Sequence, residues 1–289
     1  MVLIMKYSLR FLKLFFVFSW FIFSCQPDPE PGFLEARQIL DAKYGNDPRQ
    51  AMDIYLPAGR NSETTPLLIY IHGGAWIDGD KGEFLRFKPL LEQLFPNYAF
   101  ATLNYRLFDF ATGKNQFPAQ EQDMISAFRY IRDHLGEWNI SNQIVVSGAS
   151  AGGHLALLHS YKNHDLSMKI KTVMAFFPPT DLVELYKFNN LNALALTAIL
   201  GGNPDQVPQK YFSSSPIKYG GPNLPPTLLF HGELDNVVPI SQSRILAFGL
   251  ELNGAIPHRL IEVPHEGHGF TDETYAALLS EAKVFIESQ

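Results

Sequence analysis

Ile144-Val145-Val146-Ser147-Gly148-Ala149-Ser150-Ala151-Gly152-Gly153-His154 sets a serine inside Gly-x-Ser-x-Gly, after an apolar run and before the helix-like His154-Leu155-Ala156-Leu157-Leu158. A strand buried on both faces reads as an apolar run without alternation, so this stretch predicts strand, sharp turn, helix. A turn packed against both elements has little room for side chains, which accounts for the small residues at 148, 149, 151, 152 and 153. It also exposes the Ser150 hydroxyl, a weak nucleophile at neutral pH. Such a group needs a general base beside it and donors aimed at the oxyanion that develops. Gly/Ser/Ala-rich strand-helix turns also bind nucleotides or serve structure alone, so partners in the right order must decide.

Away from this turn, apolar and amphipathic runs alternate. Strands are predicted over Gln50–Pro57, Pro66–His72, Tyr98–Tyr105, Gln143–Ser147, Lys171–Phe177, Pro226–His231 and Pro257–Val263. Helices are predicted over Phe84–Phe95, Pro118–Leu135, residues 154–161, Ile240–Asn253 and Thr271–Glu287. Strands separated by helices imply an α/β fold with a mostly parallel central sheet covered by helices on both faces. One domain over residues 33–289 is expected. Residues 181–215, with apolar Leu191–Leu200, exceed what a simple crossover needs and suggest a small cap.

In open parallel sheets, reactive groups gather at the carboxyl ends of strands. Asp235 lies just after Thr227–His231, in HGELDNVVP (231–239), and His268 follows Arg259–Val263, in HEGHGF (265–270). Ser150, Asp235 and His268 thus stand in the chain order of nucleophile, acid and base. His265 and Glu233 are the competitors. The glycines flanking His268 favour a side chain projected into a crowded pocket, and the shorter Asp235 lies nearer the following turn. His154, behind the elbow, reads as a structural hydrogen-bonding histidine. His134, His159, His164, His231 and His258 belong to no constellation and read as structural or solvated. Tyr70–Trp76 ends a buried strand in His72-Gly73-Gly74, where backbone N–H groups can approach a substrate unhindered. Gly73, Gly74 and the N–H of Ala151 are the expected oxyanion donors, each worth on the order of 10²- to 10³-fold in rate. Tyr105-Arg106 is expected to fix the loop under that strand, with Asp123 paired to Arg106. Trp76 and Phe270 are expected to border the pocket. No metal and no organic cofactor is required.

The 289 residues are 46% hydrophobic and 18% charged, with a mean hydropathy of -0.05, which excludes a disordered chain and a multi-span membrane protein. Residues 1–24 differ: Lys6, Arg10 and Lys13 precede an uncharged apolar run from Leu14 to Ser24, too short for the roughly 20 residues of a bilayer span. This reads as a signal peptide. Ile22-Phe23-Ser24-Cys25 resembles a bacterial lipobox, despite the bulky Phe23, and makes Cys25 the expected lipidation site. A secretory signal or a short anchor helix is the alternative. Residues 25–32, rich in proline, then read as a tether to a membrane of the bacterial cell envelope. Cys25 is the only cysteine, so no intrachain disulfide can form. Removing residues 1–24 takes away three cations and no anion, moving the formal charge from -6 to -9 and arguing against a nucleic-acid partner.

HGGAW (72–76), NYRL (104–107), FPAQEQD (117–123), GASAGG (148–153), SSPIKY (214–219), HGELDNVVP (231–239) and GHGF (267–270) together resemble the α/β-hydrolase esterase/lipase family. They are most similar to its bacterial carboxylesterases and carbohydrate esterases related to hormone-sensitive lipase, over nearly everything from residue 50 onward. Ala75 replaces the third glycine of the lipase His-Gly-Gly-Gly motif, and the region before residue 50 is short for the large N-terminal cap of the lipase branch. The resemblance therefore implies a serine carboxylic-ester hydrolase for short acyl esters, such as acetyl or feruloyl groups on plant polysaccharide. Related formamidases share the His-Gly-Gly and elbow arrangement, so a formamide or amide hydrolase is the alternative enzyme. An inactive hydrolase fold used as a surface binding module is the alternative from another class.

Overall fold

A computed structural model describes residues 33–162 and 168–289; the expected signal peptide, Cys25 and the tether lie outside the described residues. The strands are β1 (Arg37–Lys43), β2 (Ala51–Leu56), β3 (Leu67–Ile71), β4 (Ala99–Leu103), β5 (Gln143–Ala149), β6 (Lys169–Phe176), β7 (Thr227–Gly232) and β8 (His258–Val263). The helices are α1 (Lys88–Leu94), α2 (Ala119–Trp138), α3 (Ala151–Lys162), α4 (Leu182–Phe188), α5 (Asn190–Leu200), α6 (Pro208–Ser213), α7 (Ser241–Leu252) and α8 (Asp272–Glu287).

The strands form one sheet in the order β1-β2-β4-β3-β5-β6-β7-β8. β2 is antiparallel to both β1 and β4, and all other neighbours are parallel. The central strands are buried along nearly their whole length, as their unbroken apolar runs require. On one face, α2, α3 and α7 contribute Phe128, Leu155 and Leu246 to a core built on Ile69 and Val146. On the other, α1 and α8 pack Leu91 and Leu279 against Leu68 and Val145. Alternation along β3 and β5 divides the side chains between the two cores.

Helix α2 buries Met124, Ala127, Phe128, Ile131 and Leu135, a stripe at three- and four-residue spacing, and stops where Asn139 turns left-handed at φ 53°. Three elements differ from expectation. β1 is an exposed edge strand with hardly any apolar alternation to announce it. The single helix expected over Phe84–Phe95 is divided into a 3₁₀ turn, Lys81–Arg86, and α1, which restarts with Pro89 in its first turn. Helix α3 begins at Ala151, three residues before the expected start.

The site follows from the strand order. From β3 the chain passes to β4 on one side, and from β4 it returns across β3 to β5 on the other. The carboxyl ends of β3 and β5 therefore flank the crevice at this reversal, with Ile71 in register with Gly148.

Candidate active site

Ser150 follows β5 at φ +53°, in the left-handed region that non-glycine residues seldom adopt. Its N–H donates to Phe176 O at 2.8 Å, and its carbonyl accepts from His154 N–H at 2.9 Å, which fixes the turn between strand and helix. Helix α3 packs so closely on β3 that a Cβ added to Gly152 would lie 2.1 Å from Ile71 O. Only glycine fits there, and the contact explains why the helix starts before His154. The same packing brings the end of β3 to the elbow: a Cβ on Gly73 would stand 3.6 Å from Ser150 Cβ.

Ser150 Oγ is 2.9 Å from His268 Nε2, and His268 Nδ1 is 2.7 Å from Asp235 Oδ2. Because Nδ1 faces a carboxylate, it carries the imidazole hydrogen, leaving Nε2 to accept from the serine. Asp235 Oδ1 accepts from the N–H groups of Val237 and Val238, both at 2.9 Å. The competitors stand apart: Glu233 is an exposed residue of the turn after β7, and neither it nor His265 enters this chain of bonds.

His231, fully buried, was not expected here. Its Nε2 lies 2.8 Å from Val238 O and 3.3 Å from Asp235 Oδ2, while Nδ1 is 2.7 Å from Ser243 Oγ. A carbonyl cannot donate, so Nε2 carries the hydrogen and points it between Val238 O and the carboxylate. Burial alone would raise the Asp235 carboxyl, but hydrogen bonds from His231, His268 and the Val238 N–H outweigh it and hold the group well below the usual carboxylate range. Asp235 is thus an anion at neutral pH.

The backbone N–H groups of Gly73, Gly74 and Ala151 have no acceptor among the described residues. Gly73 and Gly74 follow β3 and Ala151 opens α3, the two elements that meet at Ser150. His72 and Tyr105 hold the turn after β3. The rings stack at 4.3 Å, and Tyr105 Oη donates to the carbonyls of His72 and Gly73 at 3.1 and 3.0 Å. His72 Nδ1–H donates to Gly73 O at 2.8 Å, with Nε2 accepting from Arg49 at 3.3 Å. Arg106 grips Asp123 through Nε at 2.9 Å and Nη2 at 2.6 Å, and its own N–H adds a third bond at 2.7 Å.

A cleft of about 570 Å³ opens over Ser150, bordered by Gly73, Gly74, Phe87, Phe177, His268 and Tyr275. Trp76 and Phe270 do not line it, which corrects the expectation for both. Trp76 turns inward at φ +61° and meets His154 edge-on at 5.0 Å, over a small void walled by Phe117, Leu182, Leu196, Ile199 and Leu200. Phe270 follows Gly269, at φ +134°, into the core against Phe177 and Tyr275. None of residues 181–215 lines the cleft; α4 and α5 back Trp76 instead. Among the described residues no group of three His, Cys, Asp or Glu side chains comes together that could hold a metal ion.

The family model BD-FAE matches residues 52–250. The chain belongs to the BD-FAE family. In sequence, this BD-FAE chain is 24% identical over 251 residues to esterase LipC of Mycobacterium tuberculosis, covering 82% of this chain and 60% of LipC. It spans between 50% and 62% of the length of LipC and other curated relatives it matches. Among solved structures, a truncated carbohydrate esterase from gut microbiota superposes with a TM-score of 0.73 at 24% identity, over 88% of this chain and 98% of that one. An acetyl ester-xyloside bifunctional hydrolase from Caldicellulosiruptor lactoaceticus follows with a TM-score of 0.66 at 25% identity, over 82% and 89%. The fold is that of α/β-hydrolase esterases.

Two buried histidines tie this BD-FAE scaffold to pH. His154 donates through Nε2 to Ser214 O at 2.7 Å, the structural role expected of it. Burial, with Lys162 adding repulsion, pushes its imidazole down to about 4; burial reinforced by Arg49 pushes His72 down to about 4 as well. Both rings are neutral when folded and take a proton near pH 6.5 when unfolded, so their stabilisation is present above pH 6.5 and is lost as pH falls towards 4. At pH 4.5 each ring is expected to cost about 2 kcal/mol relative to pH 7. Urea unfolding at the two values, with His154→Phe as the variant that lacks one ring, measures it. A His154→Phe protein as acid-sensitive as wild type would refute that ring's share.

Proposed function

We propose that the chain is a serine esterase that removes short acyl groups, acetyl or feruloyl, from polysaccharide. The observation that carries this is the relay from Ser150 through His268 to Asp235, at 2.9 and 2.7 Å, beside three backbone N–H groups without acceptors. His268 Nε2 takes the serine proton as Oγ attacks the ester carbonyl. Gly73, Gly74 and Ala151 donate to the oxyanion, and Asp235 holds the imidazole tautomer and stabilises its charged form. His268 returns the proton to the alcohol, which leaves. Water then attacks the acyl-enzyme with His268 again as base, releasing the acid and regenerating Ser150. Membership of the BD-FAE family, the esterase named among the relatives, and the carbohydrate and acetyl-xyloside hydrolases among the similar structures support the class of substrate. The lipid anchor at Cys25, placing the enzyme at the bacterial cell envelope, belongs to the same proposal and rests on the sequence.

A panel of acetylated xylan, methyl ferulate, p-nitrophenyl acetate, p-nitrophenyl palmitate and N-formylkynurenine tests the reading. The short and polysaccharide esters are expected to exceed the palmitate and the formamide by at least about tenfold in kcat/KM. A preference for N-formylkynurenine would replace the esterase with a formamidase, and turnover of none of them would leave a binding module.

A further inference from the structure

The cleft over Ser150 has a smaller neighbour. Below it, between β3, β5 and β6 on one side and α1 and α8 on the other, lies a second space of about 30 Å³ with almost wholly apolar walls. Tyr70, Phe87, Ala149 and Tyr275 border both spaces, so the two adjoin at the residue preceding the nucleophile. The rings at this junction hold one another: Phe87 meets Tyr275 edge-on at 4.9 Å and lies 6.2 Å from Tyr70. Beyond them, Leu91 of α1 and Leu279 of α8 wall the chamber but not the cleft, and both are buried.

We infer that this chamber is the seat of the acyl group, and that Leu91 and Leu279 set how long that group can be. The inference rests on the esterase reading above and follows from the order of events in a two-step acyl transfer. The alcohol must leave and water must enter while the acyl group stays bonded to Ser150. A small apolar chamber suits the group that stays; the larger cleft bordered by His268 suits the groups that come and go. Polarity agrees, since a sugar alcohol cannot satisfy its hydroxyls against Leu68, Leu91, Met174 and Leu279, whereas a methyl or short alkyl tail loses nothing there. A space of this size, against roughly 10–15 Å³ for one water-sized group, admits a tail of two or three carbons and no more. Acetyl and butyryl esters fit; hexanoyl and feruloyl require the end wall to move, so of the two acyl groups proposed above the chamber favours acetyl.

The test uses the full chain and p-nitrophenyl acetate, butyrate and hexanoate, which share one leaving group and differ only in the acyl part. Ratios of kcat/KM within each variant do not depend on how much of the preparation is folded. Leu279→Ala is expected to raise the hexanoate-to-acetate ratio about tenfold, and Leu91→Ala, from the opposite helix, should act in the same direction. Leu279→Phe fills the chamber and is expected to lower the butyrate-to-acetate ratio about tenfold. Ratios within about twofold of wild type in all three variants would place the acyl group elsewhere and overturn the inference, with the esterase intact. A wild-type chain that hydrolyses none of the three esters fails at the earlier step and takes the esterase reading with it.

Discussion

Ser150→Ala is expected to lower kcat/KM for p-nitrophenyl acetate by about 10⁴-fold or more while leaving the fold in place. The substitution removes only Oγ, whose bond in the structure runs to His268. Nothing next to Ser150 offers a replacement nucleophile, because Ala149, Ala151 and Gly152 carry none. The strain of the elbow, at φ +53°, belongs to any residue with a Cβ and is the same for alanine as for serine. The backbone bonds from Ser150 to Phe176 and from His154 to Ser150 remain, as does the contact of Gly152 with β3. Unfolding in urea should therefore shift by less than about 1 kcal/mol, the cost of one partly exposed hydrogen bond. Activity within tenfold of wild type, measured alongside that unfolding curve, would remove Ser150 from the mechanism.

The parts of this site that could be read from the chain are those in which sequence neighbours do the physical work. A strand buried on both faces is an apolar run whatever its partners, so the central strands announced themselves, and the small residues at 148, 149, 151, 152 and 153 record how tightly α3 sits on β3. Asp235 and His268 were placed by their position after strands. Side-chain direction was another matter. Trp76 stands in a run where Ala75 and Trp76 both adopt positive φ, and Phe270 follows Gly269 at φ +134°; such turns re-aim the next side chain in a way that no periodicity records. Both aromatics therefore went into the core. β1 was silent because an edge strand exposed along most of its length needs no apolar pattern. The chamber below Ser150 joins Leu91 to Leu279 across the fold and has no local signature. For His231 the one signal was its place at the end of the strand leading to Asp235.

That histidine bears on the second large effect, since Asp235→Asn is expected to lower kcat/KM on the order of 10⁴-fold with little loss of structure. Every strong position around the carboxylate is taken by a donor: two backbone N–H groups on Oδ1, and His268 Nδ1–H on Oδ2 with His231 Nε2 nearby at 3.3 Å. An asparagine has one oxygen to offer. The N–H groups of Val237 and Val238 belong to the loop backbone and cannot change into acceptors, so the amide oxygen must face them, and the NH₂ then faces His268. The imidazole can change. It moves its hydrogen to Nε2, presents Nδ1 as an acceptor, and at that moment loses the lone pair that should receive the proton of Ser150. His231 cannot compensate, because its Nε2 hydrogen is held by Val238 O and its Nδ1 by Ser243. The variant would thus keep Ser150, its backbone N–H groups and its fold, and fail for want of the right tautomer. A pH profile of kcat/KM alongside unfolding in urea separates this from a structural failure: an Asp235→Asn protein as stable as wild type and nearly as active would show that the orientation of His268 does not depend on the carboxylate.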